Sequence, residues 1–362
     1  MIFFANIFGV FVLLYLMTSV ISQPPIMKAI NYAEGQGPEH MSLAEFPVPD
    51  LREKEILIKV YSSAINRADT LQRKGLYTPP EGQSKILGLE ATGKVIKLSS
   101  DCSDKWKVGD RVMVLVAGGG NAEYVAAHED HLMPVPKGWK FNDAAAIPEV
   151  WITAYQLIFT EGQFQPGDSV LIHAGGSGVG TAATQLVSIW GGVPIVTAGS
   201  QSKLDKAKSL GAAACYNYKE GNFDDKVLNF TQGKGVRMIL DCVGGSFCEQ
   251  NARCIGIEGR WMLYGLLGGR SVNGNLFSSI LRKRVNLRGS TLRARNIEYK
   301  ASLIKSFTQS VLPLFESGDL GVVVDSVFPL EKLGDAHKKM ESNLNVGKII
   351  IQVQSEDEHD EL

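Results

Sequence analysis

The residues with the clearest chemistry in this sequence are the glycines within residues 168–185. An apolar strand there runs into a glycine-dense turn and then into the start of a helix. Gly175, Gly178 and Gly180 are present, but Ser177 occupies the position of the middle glycine in the pattern G-x-G-x-x-G. Glycines let a backbone turn tightly and approach a pyrophosphate, and the amides and dipole at a helix start hold negative charge. This order of elements therefore predicts a dinucleotide-binding site.

A second apolar strand, residues 194–199, follows the first at about the 20-residue spacing of dinucleotide-binding domains. Its end indicates which nucleotide is bound. An NAD site needs Asp or Glu for the ribose hydroxyl, whereas an NADP site needs a cation and small donors for the 2′-phosphate. The chain has Gly199, Ser200 and Lys203 at this place and no carboxylate before Asp205. These residues favour NADPH as the cofactor.

The composition fits a globular protein of two domains and argues against a general affinity for nucleic acids. The chain has 362 residues, of which 44% are hydrophobic and 21% charged, and its net charge is −1. We interpret the one basic run, residues 282–295, as solvated surface rather than an RNA-binding patch, because it lacks interleaved aromatic residues. The five cysteines show no spacing typical of metal sites or of a disulfide framework.

Hydrophobic periodicity divides the central part of the chain into three segments. Residues 27–147 are rich in short strands and turns, and residues 148–288 alternate helices with six strands, as in a doubly wound parallel sheet. Residues 289–353 contain an amphipathic helix, 299–316, and a closing strand, 348–353. We therefore predict an α/β protein in which a cofactor domain is inserted into a strand-rich domain formed by both ends of the chain.

Both ends of the sequence carry patterns typical of targeting signals. Residues 1–27 contain no charged side chain, and Val20 and Ser22 suit a signal-peptidase cleavage that would remove residues 1–22. An uncleaved membrane anchor is the alternative. The acidic tail, residues 354–362, ends in His-Asp-Glu-Leu, which is a retention signal of the endoplasmic reticulum. We therefore expect a mature protein of the endoplasmic reticulum lumen that has no membrane anchor.

Two further expectations depend on this location. A start of translation at Met27 would instead give a cytoplasmic form, in which the retention signal has no effect. In the lumen, Asn229 of the segment Asn229-Phe-Thr231 would be an acceptor for glycosylation, provided that it is exposed.

Several segments resemble the medium-chain dehydrogenase/reductase superfamily, and within it the zinc-free quinone oxidoreductases. The resemblance covers residues 27–353 and is carried by residues 64–69, 86–91, 145–155, 173–180 and 345–348. It implies a Rossmann cofactor domain inserted into a GroES-like catalytic domain. It also implies the NADPH-dependent reduction of quinones by hydride transfer.

Two residues that zinc-dependent members of the superfamily use as metal ligands are replaced here. Asn66 stands where those proteins have a cysteine ahead of x-x-Asp, and Leu89 stands where they have the histidine of a G-H-E motif. A catalytic zinc ion needs about three protein ligands and an open position. We therefore expect an enzyme without zinc, acting on an acceptor that takes hydride readily, such as a quinone.

The resemblance also implies which residues form the site. Tyr77 and Asn66 would be catalytic, with Tyr77 stacking on the acceptor ring and donating a hydrogen bond to a developing oxyanion. Simple packing of Tyr77 and turn formation by Asn66 are the alternatives. The predicted cofactor contacts are Thr153, Gly175, Ser177, Gly178, Val179, Gly199, Ser200, Lys203, Tyr218, Gly265 and Asn345.

Other functions stay open at this point. The same hydride delivery would serve a reductase of activated C=C bonds in enals or enoyl thioesters. A non-catalytic protein that binds NADPH or RNA, like the lens crystallins of this branch, is the alternative outside enzymes. The family commonly forms dimers through the last strand of the cofactor sheet, here residues 286–290, so we expect a homodimer.

Overall fold

The computed structural model describes residues 25–272 and 274–356. The predicted signal peptide, residues 1–22, and the terminal His-Asp-Glu-Leu, residues 359–362, lie outside the described residues. Within the two described ranges, no helix is both long enough and apolar enough to cross a membrane. The described chain forms two large sheets and one small sheet of two strands.

The first large sheet comes from the middle of the chain and has six parallel strands. They are β8 (Ser169–Ile172), β9 (Val193–Ala198), β10 (Ala214–Asn217), β11 (Val236–Asp241), β12 (Ile255–Leu263) and β13 (Asn286–Gly289). Their order in the sheet is β10-β9-β8-β11-β12-β13. The first strand of the unit therefore lies near the centre, and the chain winds outward from it in both directions, which is the doubly wound arrangement.

Helices cover both faces of this sheet. They are α3 (Pro148–Tyr155), α4 (Gly178–Ile189), α5 (Gln201–Ser209), α6 (Phe223–Phe230), α7 (Cys248–Cys254) and α8 (Leu276–Lys283). Successive residues of a strand point to opposite faces. Thus Ile172 of β8 belongs to the core that contains Leu186 of α4, whereas its neighbour Leu171 belongs to the core that contains Phe223 of α6.

The second large sheet takes its strands from both ends of the chain. They are β3 (Glu55–Ile65), β4 (Glu90–Leu98), β5 (Arg111–Leu115), β6 (Tyr124–His128), β7 (Leu132–Pro134), β14 (Val324–Pro329) and β15 (Lys348–Gln352). Strand β15 lies between β14 and β3, so a late segment completes a sheet that an early segment begins. This connectivity confirms that the parallel-sheet unit is inserted into a strand-rich one. The domain boundaries at residues 147 and 288 stay predictions.

The small sheet and the remaining helices pack around this second unit. The small sheet pairs β1 (Ile26–Asn31) with β2 (Ser42–Pro47). Three further helices are α1 (Arg67–Arg73), α2 (Phe141–Ala144) and α11 (Leu333–Glu341).

The predicted single helix over residues 299–316 is wrong. The structure has two helices there, α9 (Ile297–Ser310) and α10 (Leu312–Glu316). Pro313 explains the break, because proline has no N–H to continue the helical ladder and its ring clashes with the carbonyl one turn earlier. Both helices still pack into the core, through residues such as Phe307 and Phe315.

Candidate active site

The glycine turn joins β8 to α4 and has no room for side chains at two positions. A Cβ atom placed on Gly175 would lie 2.0 Å from Cγ1 of Val196 in β9. One placed on Gly180 would lie 2.4 Å from the carbonyl oxygen of Ala174, a residue that itself has a φ of 51°. The two glycines therefore allow the start of α4 to lie directly against the parallel sheet.

The start of α4 is able to hold a pyrophosphate. The first amides of a helix have no partner within it, so the amides of Gly178 and Val179 are directed toward an anion at this end. Ser177 is the N-cap residue, and its Oγ accepts a hydrogen bond from the Gly180 amide at 3.0 Å. The Ser177 amide donates to the Ala174 carbonyl at 2.8 Å. Its hydroxyl hydrogen is therefore the part of Ser177 left for a phosphate oxygen.

The turn after β9 carries the residues predicted to select the nucleotide. Gly199 and Ser200 form this turn, and Ser200 is the N-cap residue of α5. Tyr218 lies against the turn, since its Oη would be 2.7 Å from a Cβ atom placed on Gly199. Lys203 lies in the first turn of α5 and donates from Nζ to the carbonyl of Asn343 at 2.6 Å. Four predicted contacts are thus close together beyond the end of one strand.

Two cations that the sequence analysis missed lie near Lys203. Burial lowers the pKa of the Lys203 ammonium, Asp325 raises this pKa, and Lys219 and Arg67 lower it further. Positive charge is therefore concentrated beside the Gly199–Ser200 turn. Both residues had a sequence signal: Arg67 directly follows Asn66, and Lys219 follows a predicted cofactor contact.

Asn66 lies in a buried cluster at the junction of the two sheets. Its Nδ2 donates to Oε1 of Glu90 at 2.8 Å, and its Oδ1 accepts from Nζ of Lys348 at 2.8 Å. Lys348 also donates to Glu90 Oε1 at 2.6 Å and to the Ile65 carbonyl at 3.1 Å. The orientation of the Asn66 side-chain amide is therefore fixed, because both its nitrogen and its oxygen are hydrogen-bonded to neighbouring side chains. Lys348 and Glu90 were not predicted from the sequence as partners of Asn66.

Glu149, the second residue of α3, connects this cluster to Tyr77. Its amide donates to the second oxygen of Glu90, Oε2, at 2.8 Å. Burial and the Glu90 carboxylate raise the pKa of the Glu149 carboxyl to about 8, although Lys348 acts in the opposite direction. Burial raises the pKa of Tyr77 as well, and Glu149 adds to that rise. At neutral pH both groups therefore keep their protons and are hydrogen-bond donors. Glu149 was not predicted as a site residue, although it lies within residues 145–155, which carry part of the family resemblance.

The remaining predicted cofactor contacts lie on three separate elements. Thr153 is half-buried on α3, one turn after Glu149, and Gly265 follows β12, where a Cβ atom would be 2.9 Å from the Cys242 carbonyl. Asn345 is buried and donates from Nδ2 to the carbonyl of Gly347 at 2.9 Å. The loop that contains it is joined to the glycine turn, because the Gly347 amide donates to the Gly176 carbonyl at 2.8 Å.

The two residues at the positions of the missing zinc ligands do not fit a zinc ion. The side chain of Asn66 is hydrogen-bonded to Glu90 and Lys348, and the buried side chain of Leu89 has no atom that could bind a metal. The Lys348 ammonium already supplies a positive charge against Glu90. Across residues 25–272 and 274–356, no group of three or more His, Cys, Asp or Glu side chains is placed to hold a metal ion.

The raised pKa of Glu149 predicts how stability changes with pH. Between pH 4.5 and about 8, the unfolded chain releases this proton while the folded chain keeps it, so folding becomes less favourable as pH rises through this range. Glu149→Gln removes the titration. We expect the melting temperature of this variant, measured relative to that of the wild type, to rise by on the order of 3 °C from pH 5.5 to pH 9.

Thermal unfolding followed by circular dichroism across this pH range measures the difference. Glu298→Gln is the matched control, because Glu298 is exposed at the start of α9. If the difference in melting temperature between Glu149→Gln and wild type were the same at every pH, Glu149 would ionise in the folded protein as it does in water.

Comparison with known proteins identifies the two units. Residues 178–309 match the family of zinc-binding dehydrogenases, and residues 52–137 match the alcohol dehydrogenase GroES-like domain. The synaptic vesicle membrane protein VAT-1 homolog of Homo sapiens is 30% identical over 310 residues, which cover 82% of this chain and 78% of that protein. The chain spans only 65% of the length of the Danio rerio homolog. Quinone oxidoreductase of Rattus norvegicus is 28% identical over 329 residues, covering 90% of this chain and 98% of that protein.

A solved structure shows the same architecture over nearly the whole described chain. The quinone oxidoreductase of Escherichia coli, determined in complex with NADPH, superimposes with a TM-score of 0.81 at 28% sequence identity. The match covers 90% of this chain and 100% of that one. The predicted fold, a Rossmann-like parallel sheet inserted into a GroES-like unit, is confirmed. The chain therefore belongs to the medium-chain dehydrogenase/reductase superfamily.

Proposed function

We propose that this chain is an NADPH-dependent oxidoreductase that reduces quinones by hydride transfer without zinc. The observation that carries the proposal is the pairing of a glycine turn with a cationic turn beside it. Lys203 follows the N-cap residue Ser200 on α5, and Lys219 and Arg67 lie near Lys203. The quinone oxidoreductases among its relatives support the reaction class. Within the superfamily, we place the chain in the branch of the p53-inducible quinone oxidoreductase and zeta-crystallin.

The predicted contacts suit the three parts of NADPH. The start of α4, with Ser177, Gly178 and Val179, would hold the pyrophosphate. The turn after β9 would hold the adenosine and its 2′-phosphate, through Gly199, Ser200, Lys203 and Tyr218. The nicotinamide would then lie toward Thr153, Gly265, Asn345 and Asn66. When bound, NADPH supplies the hydride.

Tyr77 would act on the oxygen that becomes negative during the reduction. Its phenol keeps its proton because burial and Glu149 raise its pKa, so it is able to donate a hydrogen bond to a developing oxyanion. The Cζ atom of Arg293 lies 5.3 Å from the centre of the Tyr77 ring, which places positive charge beside it. Without a Lewis acid, the acceptor must itself stabilise the added charge, as a quinone does.

Turnover with quinones tests this function. Purified protein is expected to oxidise NADPH in the presence of ortho- or para-quinones, and chelators should have no effect on the rate. Tyr77→Phe should lower kcat by about tenfold or more, because the donor to the oxyanion is lost. Tyr216→Phe is the control, since its hydroxyl donates to the Lys226 carbonyl at 3.3 Å and lies outside the proposed site.

Inactivity across a panel of quinones and enones would refute the proposal, and unchanged kinetics of Tyr77→Phe would reduce Tyr77 to a packing residue. The alternative reaction, reduction of activated C=C bonds in enals or enoyl thioesters, predicts a higher kcat/KM for an enoyl thioester than for a quinone.

Lys203 should determine the choice of cofactor. A charge-assisted contact with the 2′-phosphate contributes about 1.5–3 kcal/mol. Lys203→Ala should therefore weaken NADPH binding about tenfold or more relative to NADH. The ratio of the two affinities is the readout, because loss of the contact with Asn343 affects both nucleotides alike. Lys208→Ala is the control on the same helix. An unchanged ratio would show that Lys203 only supports the Asn343 loop.

Several side chains of the basic run that suggested an RNA-binding alternative form hydrogen bonds and ion pairs within the protein. Its interpretation as solvated surface is wrong for Arg293, which is buried, and Arg295 pairs with Glu161 at 2.5 Å. Lys283 donates to three backbone carbonyls, and Arg284 pairs with Glu258 at 3.1 Å. This use supports an enzyme of small-molecule substrates that does not bind nucleic acid.

We also propose a homodimer formed through β13. All four residues of this edge strand are exposed, and the neighbouring helix α8 exposes Phe277 (84%) and Leu281 (78%). Two copies that pair their β13 strands would cover both features. Light scattering coupled to gel filtration should give a dimer for wild type and a monomer for Phe277→Glu with Leu281→Glu. Leu344→Glu, at an apolar residue exposed elsewhere, should stay dimeric. A monomeric wild type would contradict the proposal.

The location stays a proposal: a protein of the endoplasmic reticulum lumen, cleaved before Gln23 and free of a membrane anchor. It rests on the terminal patterns outside the described residues. Asn229 offers a test within them, since it is exposed at the end of α6. Enzymatic deglycosylation should reduce the mass of the wild type but not of Asn229→Gln, and microsomes should protect the protein from protease until detergent is added. Digestion without detergent would indicate a cytoplasmic form, such as one that starts at Met27.

A further inference from the structure

A cavity of about 640 Å³ lies between the loop after β5 and the segment after β13. Residues 116–119 line one side, and Arg293 and Lys300 line the other. The volume is that of a site for a small molecule. None of the predicted cofactor contacts lines this cavity, so the proposed function leaves it without a role.

Arg293 brings a buried positive charge to the cavity. Among the described residues no carboxylate forms an ion pair with it, although the buried Asp69 lies near enough to raise the pKa of the guanidinium against the larger lowering by burial. Only 5% of this residue is exposed. Its Nε donates to the Ala117 carbonyl at 2.7 Å and its Nη2 to Oε1 of Gln72 at 2.6 Å, and both acceptors are neutral. The third nitrogen, Nη1, is buried without a hydrogen-bond partner. Arg293 also lies against Tyr77, which connects the cavity to the predicted catalytic residue.

Lys300, on α9, adds a second buried cation. It is 7% exposed, and no side chain or carbonyl within the described part of the chain forms a hydrogen bond or ion pair with its ammonium. Burial lowers the pKa of Lys300, Glu149 raises it, and Arg293 lowers it. Because the pKa of Glu149 is itself about 8, this carboxyl is largely protonated at neutral pH and does not neutralise the ammonium.

The other ionisable groups that line the cavity form no ion pair with these two cations among the described residues. Burial and Lys300 lower the pKa of His131 to about 4, so its ring is neutral at pH 7. Asp50 and Glu298 line the cavity but are exposed to solvent, and Glu55 is half-buried. None of these three carboxylates forms an ion pair with Arg293 or Lys300 among the described residues. A buried cation that has no ion-pair partner is stabilised when an anion binds directly beside it.

We propose that Arg293 and Lys300 bind an acidic substituent of the electron acceptor, such as a carboxylate or a sulfonate. This inference rests on the proposed function, because the acceptor is the molecule whose ring Tyr77 would contact. The anion would supply the direct ion-pair partner that Arg293 and Lys300 lack, and it would anchor one end of the acceptor beside Tyr77. The protein would then prefer acceptors that carry a negative charge over neutral acceptors of the same shape.

Binding of two redox-inactive probes tests the anion site without any turnover. Naphthalene-2-sulfonate and naphthalene-2-sulfonamide have nearly the same shape, but only the first is charged at pH 7. We expect calorimetric titration of the full protein, saturated with NADP⁺, to give at least about tenfold tighter binding of the sulfonate. Saturation with NADP⁺ keeps the probe away from Lys203.

Variants of Lys300 separate a built site from general surface charge. Lys300→Met should bring the two affinities to within about twofold, and Lys300→Arg should retain the preference. Lys305→Met, at an exposed position of the same helix, is the matched control and should behave as wild type. Equal affinities in the wild type would overturn the proposal even if Lys300→Met did not fold. An unchanged preference in Lys300→Met, or an equal loss in Lys305→Met, would also overturn it.

Inhibition kinetics test whether the anion belongs to the acceptor. Naphthalene-2-sulfonate should inhibit quinone reduction competitively with the quinone, and inhibition that is not competitive with the quinone would overturn this assignment. If no quinone is reduced at all, the proposed function fails, while the calorimetric preference still decides the anion site.

Discussion

The ion pair between Lys348 and Glu90 holds the candidate site together. Lys348 lies at the start of β15, and its ammonium donates to the end of β3, to Asn66 and to Glu90 of β4. The other oxygen of Glu90 accepts the Glu149 amide and so fixes the start of α3. Because the pair is buried, removing either partner would leave an unpaired charge in the interior. Four segments from distant parts of the chain therefore depend on one contact.

The same contact limits the chemistry that this place is able to perform. An ammonium has three hydrogens, and Lys348 directs them to Ile65, Asn66 and Glu90. No hydrogen is left for a substrate oxygen, whereas a catalytic zinc ion keeps one coordination position open. Under the proposed function, an acceptor would then be polarised by other groups, such as the hydroxyl of Tyr77 and the guanidinium of Arg293 beside it.

Local patterns predicted the fold and the glycine turn, because strand and helix periodicity and the turn residues are encoded within a few positions. The partners of the site residues were not predicted, since they are contacts across the chain. Lys348 and Glu90 are 258 residues apart, and Arg293 and Gln72 are 221 residues apart. Arg293 was assigned to the surface for the same reason. Its guanidinium is buried by hydrogen bonds with the Ala117 carbonyl and the Gln72 side chain, which come from a distant part of the chain and leave no trace in local periodicity. Pro313, by contrast, was a local signal that the single-helix prediction overlooked.

The position of β15 has a consequence for how the chain is made. Strand β3 pairs with β15 over residues 62–65 and 349–352, and it is complete before most of the protein has left the ribosome. Until β15 is synthesised, that edge of β3 has no partner, and Glu90 has no ammonium beside it. The six-stranded parallel unit between them has no such dependence, because all its strands are continuous within residues 169–289. Vectorial synthesis therefore leaves the GroES-like sheet open, with an edge able to pair with other chains, through the whole time that the inserted unit is being made.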